Sequence, residues 1–165
     1  MIEHLSDKHL DAVEAIQAAS YSEGSREDIR TLKYHWTLFP ELCLVGFHHL
    51  RPAGYLIAHP WPLRVPPPIN EQTYTVPENA NSIFIHDLAL LPESRSTGLA
   101  TRLVETLLTT GLDSGYSFFS LISVQGTRKF WAKFGFQEVL DLPQDYFEVI
   151  SDFYPNGGYF YMEKS

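Results

Sequence analysis

Cysteine is nearly absent. Cys43 is the single one in 165 residues, so no disulfide forms within the chain, and a reducing compartment, the cytoplasm, is the expected setting. Basic residues are scarce as well, 12 Lys and Arg against 20 Asp and Glu, for a formal net charge of −8. That balance excludes the broad electropositive footprint of a nucleic-acid binder and reads either as suited to a small cationic substrate or as a solvated acidic surface with no functional meaning. No segment approaches the roughly 18 uninterrupted apolar residues of a membrane span. The opening MIEHLSDKHL has no basic stretch leading into an apolar run, so neither a membrane partner nor a secretory signal is expected. Two nucleotide cradles are missing too: there is no Gly-x-x-x-x-Gly-Lys-[Ser/Thr] and no Gly-x-Gly-x-x-Gly after a first strand. Internal repeats and low-complexity segments are also lacking.

What is present is an ordinary globular composition, 44% hydrophobic and 19% charged, in a chain long enough for one domain over residues 1–165. In SDKHLDAVEAIQAAS, Ser6 offers an N-cap and Leu10, Val13 and Ile16 fall at helical spacing, which predicts a helix over about residues 7–19. SREDIRTLKYHWTLFP predicts a second helix, capped by Ser25 and stopped by Pro40, with the short YSEG connection carrying Tyr21 and Glu23 between them. ELCLVGFHHLRPAGYLIAHP reads as an antiparallel hairpin turning at His48 to Pro52. WPLRVPPPINEQTYTVPEN holds five of the eleven prolines, which bars a helix or a central strand and predicts a long surface loop. Strand, helix, strand and helix then alternate through YSFFSLISV and GTRKFWAKFGF, the last helix stopping at Gly135, and FQEVL and GGYFYMEKS close as two strands.

IFIHDLALLPESRSTGLATRLVETLL, residues 83–108, carries the chemistry. A strand runs through Pro92 into Arg-Ser-Thr-Gly-Leu-Ala and then into a helix. Helix N-termini offer N–H groups without intrahelical partners, and the small Gly98 and Ala100 allow a ligand close to the main chain. Arg95 adds a charged fork of donors and Ser96 and Thr97 add hydroxyls, so the turn reads either as an anion cradle or as an ordinary helix start.

The strand HDLALLP, the turn Arg-x-x-Gly-x-Ala, the helix LATRLVETLL, the strand FFSLISV and the ending FWAKFGF together resemble the GNAT superfamily of acyl-CoA-dependent N-acetyltransferases. PELCLVGF, GYLIAHPW and FWAKFGF look most like its arylalkylamine N-acetyltransferase branch and the bacterial relatives of that branch. The resemblance implies an α/β domain of the α+β type: a mixed, mostly antiparallel sheet of six to seven strands, about four flanking helices, and a fourth strand splayed from the fifth. It implies acetyl-CoA as co-substrate, no metal, and direct acetyl transfer to a primary amine, either of a small molecule or, in the rival reading, of a protein or peptide. A non-catalytic acyl-CoA-binding module is the other rival, and oligomeric state is left open, a homodimer included.

Carried over by position, the resemblance assigns the coenzyme arm to the main chain of Leu88, Ala89 and Leu90. It assigns the pyrophosphate to the amides of Arg95, Ser96, Thr97, Gly98, Leu99, Ala100 and Thr101, with Phe130 and Lys133 flanking the arm. His86 is the expected base, with a free pKa of about 6.5. Period 2 along the strand places Phe84, His86 and Leu88 on one face and Asp87 on the other, barring a bulge. Tyr21, Glu23, His59 and Asp87 are the expected acceptor-side residues. Where many relatives carry a Tyr that protonates the departing thiolate, this chain has Trp131, whose indole donates a hydrogen bond but is no usable acid. Tyr161, followed by Tyr159, is the expected substitute.

Overall fold

Apolar residues run almost without a break through the central strands, and such runs call for a sheet covered on both faces. In the computed structural model, which describes residues 1–153 and 157–165, seven strands form one sheet in the order β1-β2-β3-β4-β5-β7-β6. The strands are β1 Ile2–His4, β2 Cys43–His48, β3 Arg51–Trp61, β4 Ser82–Leu90, β5 Phe119–Ser123, β6 Gln137–Glu138 and β7 Phe160–Lys164. All neighbours are antiparallel except β4 and β5. The helices are α1 Leu10–Ser20, α2 Ile29–Leu38, α3 Leu99–Asp113 and α4 Arg128–Ala132. This is the mixed sheet flanked by four helices that the sequence resemblance implies.

Two cores lie on opposite faces. Cys43, Val45, Tyr55 and Ile57 point to α1 and α2, where Val13, Ile16, Leu32 and Trp36 meet them. Leu44, Leu56 and Ala58 point the other way, to Leu99, Leu103, Val104 and Leu107 of α3 and Trp131 of α4. The hairpin turns at His49 and Leu50, which adopt φ of 48° and 63°, the left-handed pair that suits the twist of a tight connection.

Three local features differ from the sequence reading. β1 is too short to leave a periodic signal. The second helix begins at Ile29, not near Ser25, because the Asp28 side chain accepts the Arg30 N–H at 2.8 Å and caps it. The face assignment of β4 also changes. Ile57 pairs with Asp87 while the next residue, Ala58, pairs with Ile85, so His86 is an extra residue in β4 and the alternation resets there. Asp87 and Ala89 therefore join His86 and Phe84 on the α1/α2 side, where Asp87 meets Tyr55 and His86 meets His59. Leu88 goes to the α3 side with Ile83 and Ile85.

β4 pairs with β5 only over Ile83–Ile85 and Phe119–Leu121, although β4 runs on to Leu90. The strands part there, as expected of the fourth and fifth.

Helix α3 approaches β5 closely at Gly111. A Cβ at Gly111 would stand 2.6 Å from Cε1 and 2.8 Å from Cζ of Phe119, and 2.8 Å from Cδ1 of Ile83. A Gly→Ala change in a helix interior normally gains about 1 kcal/mol, whereas forcing a methyl into a packed core costs about 1–3 kcal/mol. Phe119 is itself buried and cannot swing away. Gly111→Ala is therefore expected to destabilise, lowering the urea midpoint, and a higher midpoint would show that the helix and sheet can separate freely at this point.

Candidate active site

Where β4 leaves β5 a cleft of about 390 Å³ opens, walled by His86, Asp87 and Leu88 on one side and by Thr127, Phe130 and Trp131 on the other. Tyr21 and Glu27, from the segment joining α1 to α2, stand at the same cleft. The fold thus brings His86, Asp87 and Tyr21 to one cleft and adds Glu27, which the sequence reading did not single out.

Histidine 86 is tied at both ring nitrogens. Its Nε2 lies 2.8 Å from Glu27 Oε2 and its Nδ1 lies 3.2 Å from His59 Nε2. His59 Nδ1 faces the Pro60 carbonyl at 3.1 Å, and a carbonyl only accepts, so the inventory assigns the His59 proton to Nδ1. His59 Nε2 is then the acceptor and His86 Nδ1–H the donor. One further proton lies between His86 Nε2 and Glu27. Burial opposes the charged form of His86, but the Glu27 carboxylate outweighs it through its charge and hydrogen bond, and the pKa is raised. His59 is held well below the usual range, by burial and then by His86. His35, from α2, packs on both rings, with centroids 4.9 Å from His59 and 4.3 Å from His86. Its pKa too is lowered by burial and by its two neighbours. Glu27 is fixed in turn, since Oε1 accepts the Asn70 N–H at 2.6 Å and its own N–H donates to Gln17 Oε1 at 2.8 Å.

Asp87 sits beside this pair in a different setting. Tyr21 donates to Oδ1 and Tyr55 to Oδ2, each at 2.6 Å. Burial pushes its pKa up to about 6 even though both hydroxyls favour the carboxylate. The Tyr21 hydroxyl also reaches the Leu88 carbonyl at 3.4 Å, and the Ser20 hydroxyl donates to the Leu90 carbonyl at 3.2 Å. Carbonyls of Leu88 and Leu90 therefore face away from β3, toward the gap.

The turn into α3 has the character of an anion cradle. Among the described residues the amides of Ser96, Thr97 and Gly98 find no acceptor, and those of Leu99, Ala100 and Thr101 precede the first rung of the helix, Arg102 N–H to the Gly98 carbonyl at 3.1 Å. Gly98 holds φ at 83°, and a Cβ there would meet nothing within 4 Å. The space above the turn is open. Arg95 does not add its guanidinium to the cradle: Nη2 donates to the Leu90 carbonyl at 3.5 Å, and its amide donates to Pro92.

Other expected residues lie elsewhere. Phe130 lines the cleft, whereas Lys133 is an exposed residue just after α4 and Glu23 an exposed residue of a short turn, neither on the cleft wall. His59 is fully buried behind His86. The Tyr161 hydroxyl accepts the Arg64 N–H at 2.8 Å, its pKa is raised chiefly by burial, and its ring packs on Tyr146. With Tyr159 it borders a separate hollow beyond β6, so neither tyrosine reaches the cleft. The residues that sequence reading missed, Glu27, His35, Tyr55 and Tyr74, carry no local motif; what unites them is a face of the sheet.

Comparison with known proteins agrees with this architecture. The family model described as "Acetyltransferase (GNAT) family" matches residues 10–136. A comparison with curated proteins finds no match. Among solved structures, the GphF GNAT-like decarboxylase in complex with isobutyryl-CoA superposes with a TM-score of 0.76 at 15% identity, covering 100% of this chain and 98% of the other. Ard1 from Thermoplasma volcanium gives 0.72 at 17% identity over 99% and 95%, and Arabidopsis thaliana Naa50 in complex with the bisubstrate analogue CoA-Ac-MVNAL gives 0.70 at 16% over 100% and 97%. At such identities the structures speak for the fold, and the family model, matched over most of the length, places the chain: it belongs to the GNAT family of acetyltransferases.

Proposed function

We propose that this protein transfers an acetyl group from acetyl-CoA to the primary amine of a small molecule, with Glu27 and His86 together taking the amine proton. The observation that carries the reading is the Glu27–His86 pair, 2.8 Å apart on the wall of the cleft where β4 parts from β5.

The cleft fits acetyl-CoA in its parts. The unpaired amides from Ser96 to Thr101 would hold the pyrophosphate, and the open space above Gly98 leaves room for it. The main-chain groups of Leu88 and Leu90 that face the gap would pair with the pantetheine arm, with Phe130 and Trp131 as the opposite wall. The thioester then ends near His86. A primary amine arrives as an ammonium ion, drawn by Glu27, Asp87 and a net charge of −8. Glu27, with His86 behind it fixing the carboxylate, removes one proton; the freed lone pair attacks the thioester carbonyl, the nitrogen of the tetrahedral adduct gives its second proton to water, the C–S bond breaks, and the coenzyme leaves as thiolate. Trp131 has no acidic proton to return, and the hydroxyl of Tyr161 is engaged with Arg64 outside the cleft, so the thiolate takes its proton from water or from the one released at Glu27.

A cavity of about 390 Å³ shared by thioester and acceptor favours a compact amine. The arylalkylamine relatives named by the sequence resemblance supply the first acceptors to try. The panel should also hold peptide amino termini, because Naa50 is a structural neighbour, and an acyl-CoA bearing a free carboxyl, because GphF is a GNAT-like decarboxylase.

Two measurements test the assignments. Gly98→Glu should abolish acetyl-CoA binding by calorimetry while Gly98→Ala, which shares the strain of a side chain at positive φ but not the charge, keeps most of it; equal affinity for both would remove the cradle from this turn. Glu27→Gln and His86→Gln should each lower turnover about 10²- to 10⁴-fold, the usual worth of a general base, with acetyl-CoA affinity unchanged. Near-normal turnover in both variants would mean that the amine loses its proton elsewhere.

A further inference from the structure

Three histidines from three elements meet behind the cleft: His35 of α2, His59 of β3 and His86 of β4. One ring nitrogen from each lies within 4.8 Å of the other two. All three side chains are almost entirely buried. Imidazoles packed this closely are costly companions once any of them is protonated, and apolar residues would fill the same volume without that cost.

The outer edge of each ring is already held. His86 Nε2 lies against Glu27 Oε2 at 2.8 Å, His59 Nδ1 against the Pro60 carbonyl at 3.1 Å, and His35 Nδ1 against the Tyr74 hydroxyl at 2.7 Å. A carboxylate, a main-chain carbonyl and a hydroxyl are the partners that orient metal-bound imidazoles from behind. Those bonds leave His86 Nδ1, His59 Nε2 and His35 Nε2 as the inward nitrogens. The first two are 3.2 Å apart. Two imidazole nitrogens bound tetrahedrally to zinc at about 2.0–2.1 Å stand about 3.3 Å from each other, so an ion that takes the place of the proton shared by His86 and His59 needs little change in this spacing.

We propose that His35, His59 and His86 form a three-histidine site for a divalent ion of the zinc class, aimed by Tyr74, the Pro60 carbonyl and Glu27 and completed by water from the cleft. His35 is the ring that moves. It lies within 10° of parallel to His59, and an ion in the plane of both rings requires it to turn about its side-chain torsions. Imidazole nitrogens select zinc, cobalt, nickel or copper over magnesium or calcium. His86 and Glu27 border the cleft, which gives the ion its way in. The proposal does not depend on acetyl transfer: a metal can bind here whichever amine the enzyme takes, and the acetyl-transfer reading stands if no metal binds.

The test is a titration of the full-length protein with Co²⁺, read by its visible absorption, followed by competition with Zn²⁺. His48 and His49, paired on the exposed turn between β2 and β3, are first replaced together by Gln to remove a surface site. One Co²⁺ per chain with a four-coordinate spectrum, displaced by one Zn²⁺, is expected. His35→Gln and His59→Gln should abolish it in protein whose near-ultraviolet circular dichroism is unchanged. Should either fail to fold, Glu27→Gln and Tyr74→Phe decide the matter, because loss of an outer partner should weaken binding about 10- to 100-fold. No four-coordinate spectrum, or an affinity that none of the folded variants alters, would overturn the site and leave the three rings as hydrogen-bonded packing.

Discussion

β4 carries one residue more than β3 between Ile85 and Asp87, and the sheet absorbs it as a bulge at His86. Without that residue, strict alternation would send His86 and Asp87 to opposite faces of the sheet, and only one of them could meet the segment between α1 and α2. The bulge puts both on that side, His86 against Glu27 and Asp87 against Tyr21 and Tyr55. It also falls where pairing with β5 ends, at Ile85 and Leu121. One inserted residue thus coincides with the opening of the cleft and supplies its polar wall, and bulges are used in this way beside binding sites because they re-aim a side chain while the ladder continues on either side.

The electrostatics follow from that placement. His86 and Asp87 are adjacent and both are penalised by desolvation, and yet their environments differ. His86 faces a carboxylate, which raises its pKa against burial. Asp87 faces two neutral hydroxyls, which cannot overcome burial, and its pKa rises to about 6. The proposed function puts the amine proton on the Glu27–His86 side, where a carboxylate is already ordered by Asn70 and by a ring nitrogen. Asp87 serves a different end. Through Tyr21 it links the α1/α2 segment to β4, and through Tyr55 it links β4 to β3.

Much of this was legible in the sequence, and what was not has a common cause. The two apolar runs on either side of the His48 to Pro52 turn, the stop at Gly135 and the turn at Gly98 are local signals, readable because each depends on a few neighbouring residues. The order of elements and the position of His86 at the splay followed from the resemblance. Glu27 and His35 left no such trace, because their role comes from contacts to residues far along the chain. Glu27 reaches His86, 59 positions away, and His35 reaches Tyr74, 39 positions away. The bulge was invisible for a related reason: in Ile-His-Asp-Leu nothing marks the extra residue, since it is defined only against the partner strand. Tyr161 reaches a different hollow because its neighbours, not its strand, decide which one it borders: it pairs with Ile122 and its ring packs on Tyr146.

Trp131 in place of an acidic tyrosine is consistent with the chemistry that the rest of the site can perform. A thiol ionises near pH 8.5, so a thiolate is a stable enough anion at neutral pH to depart without a proton already in place. An ammonium substrate is in the opposite position, since it has no lone pair until a proton is removed. Under the proposed function the step that needs help is thus on the Glu27 side of the cleft, where Glu27 and His86 are held in a hydrogen bond of 2.8 Å. On the far side the requirement is a firm wall for the coenzyme arm. Under the proposed function Trp131 supplies that wall, as a buried member of the core that packs edge-on against Phe130 and Phe136 and also lines the cleft.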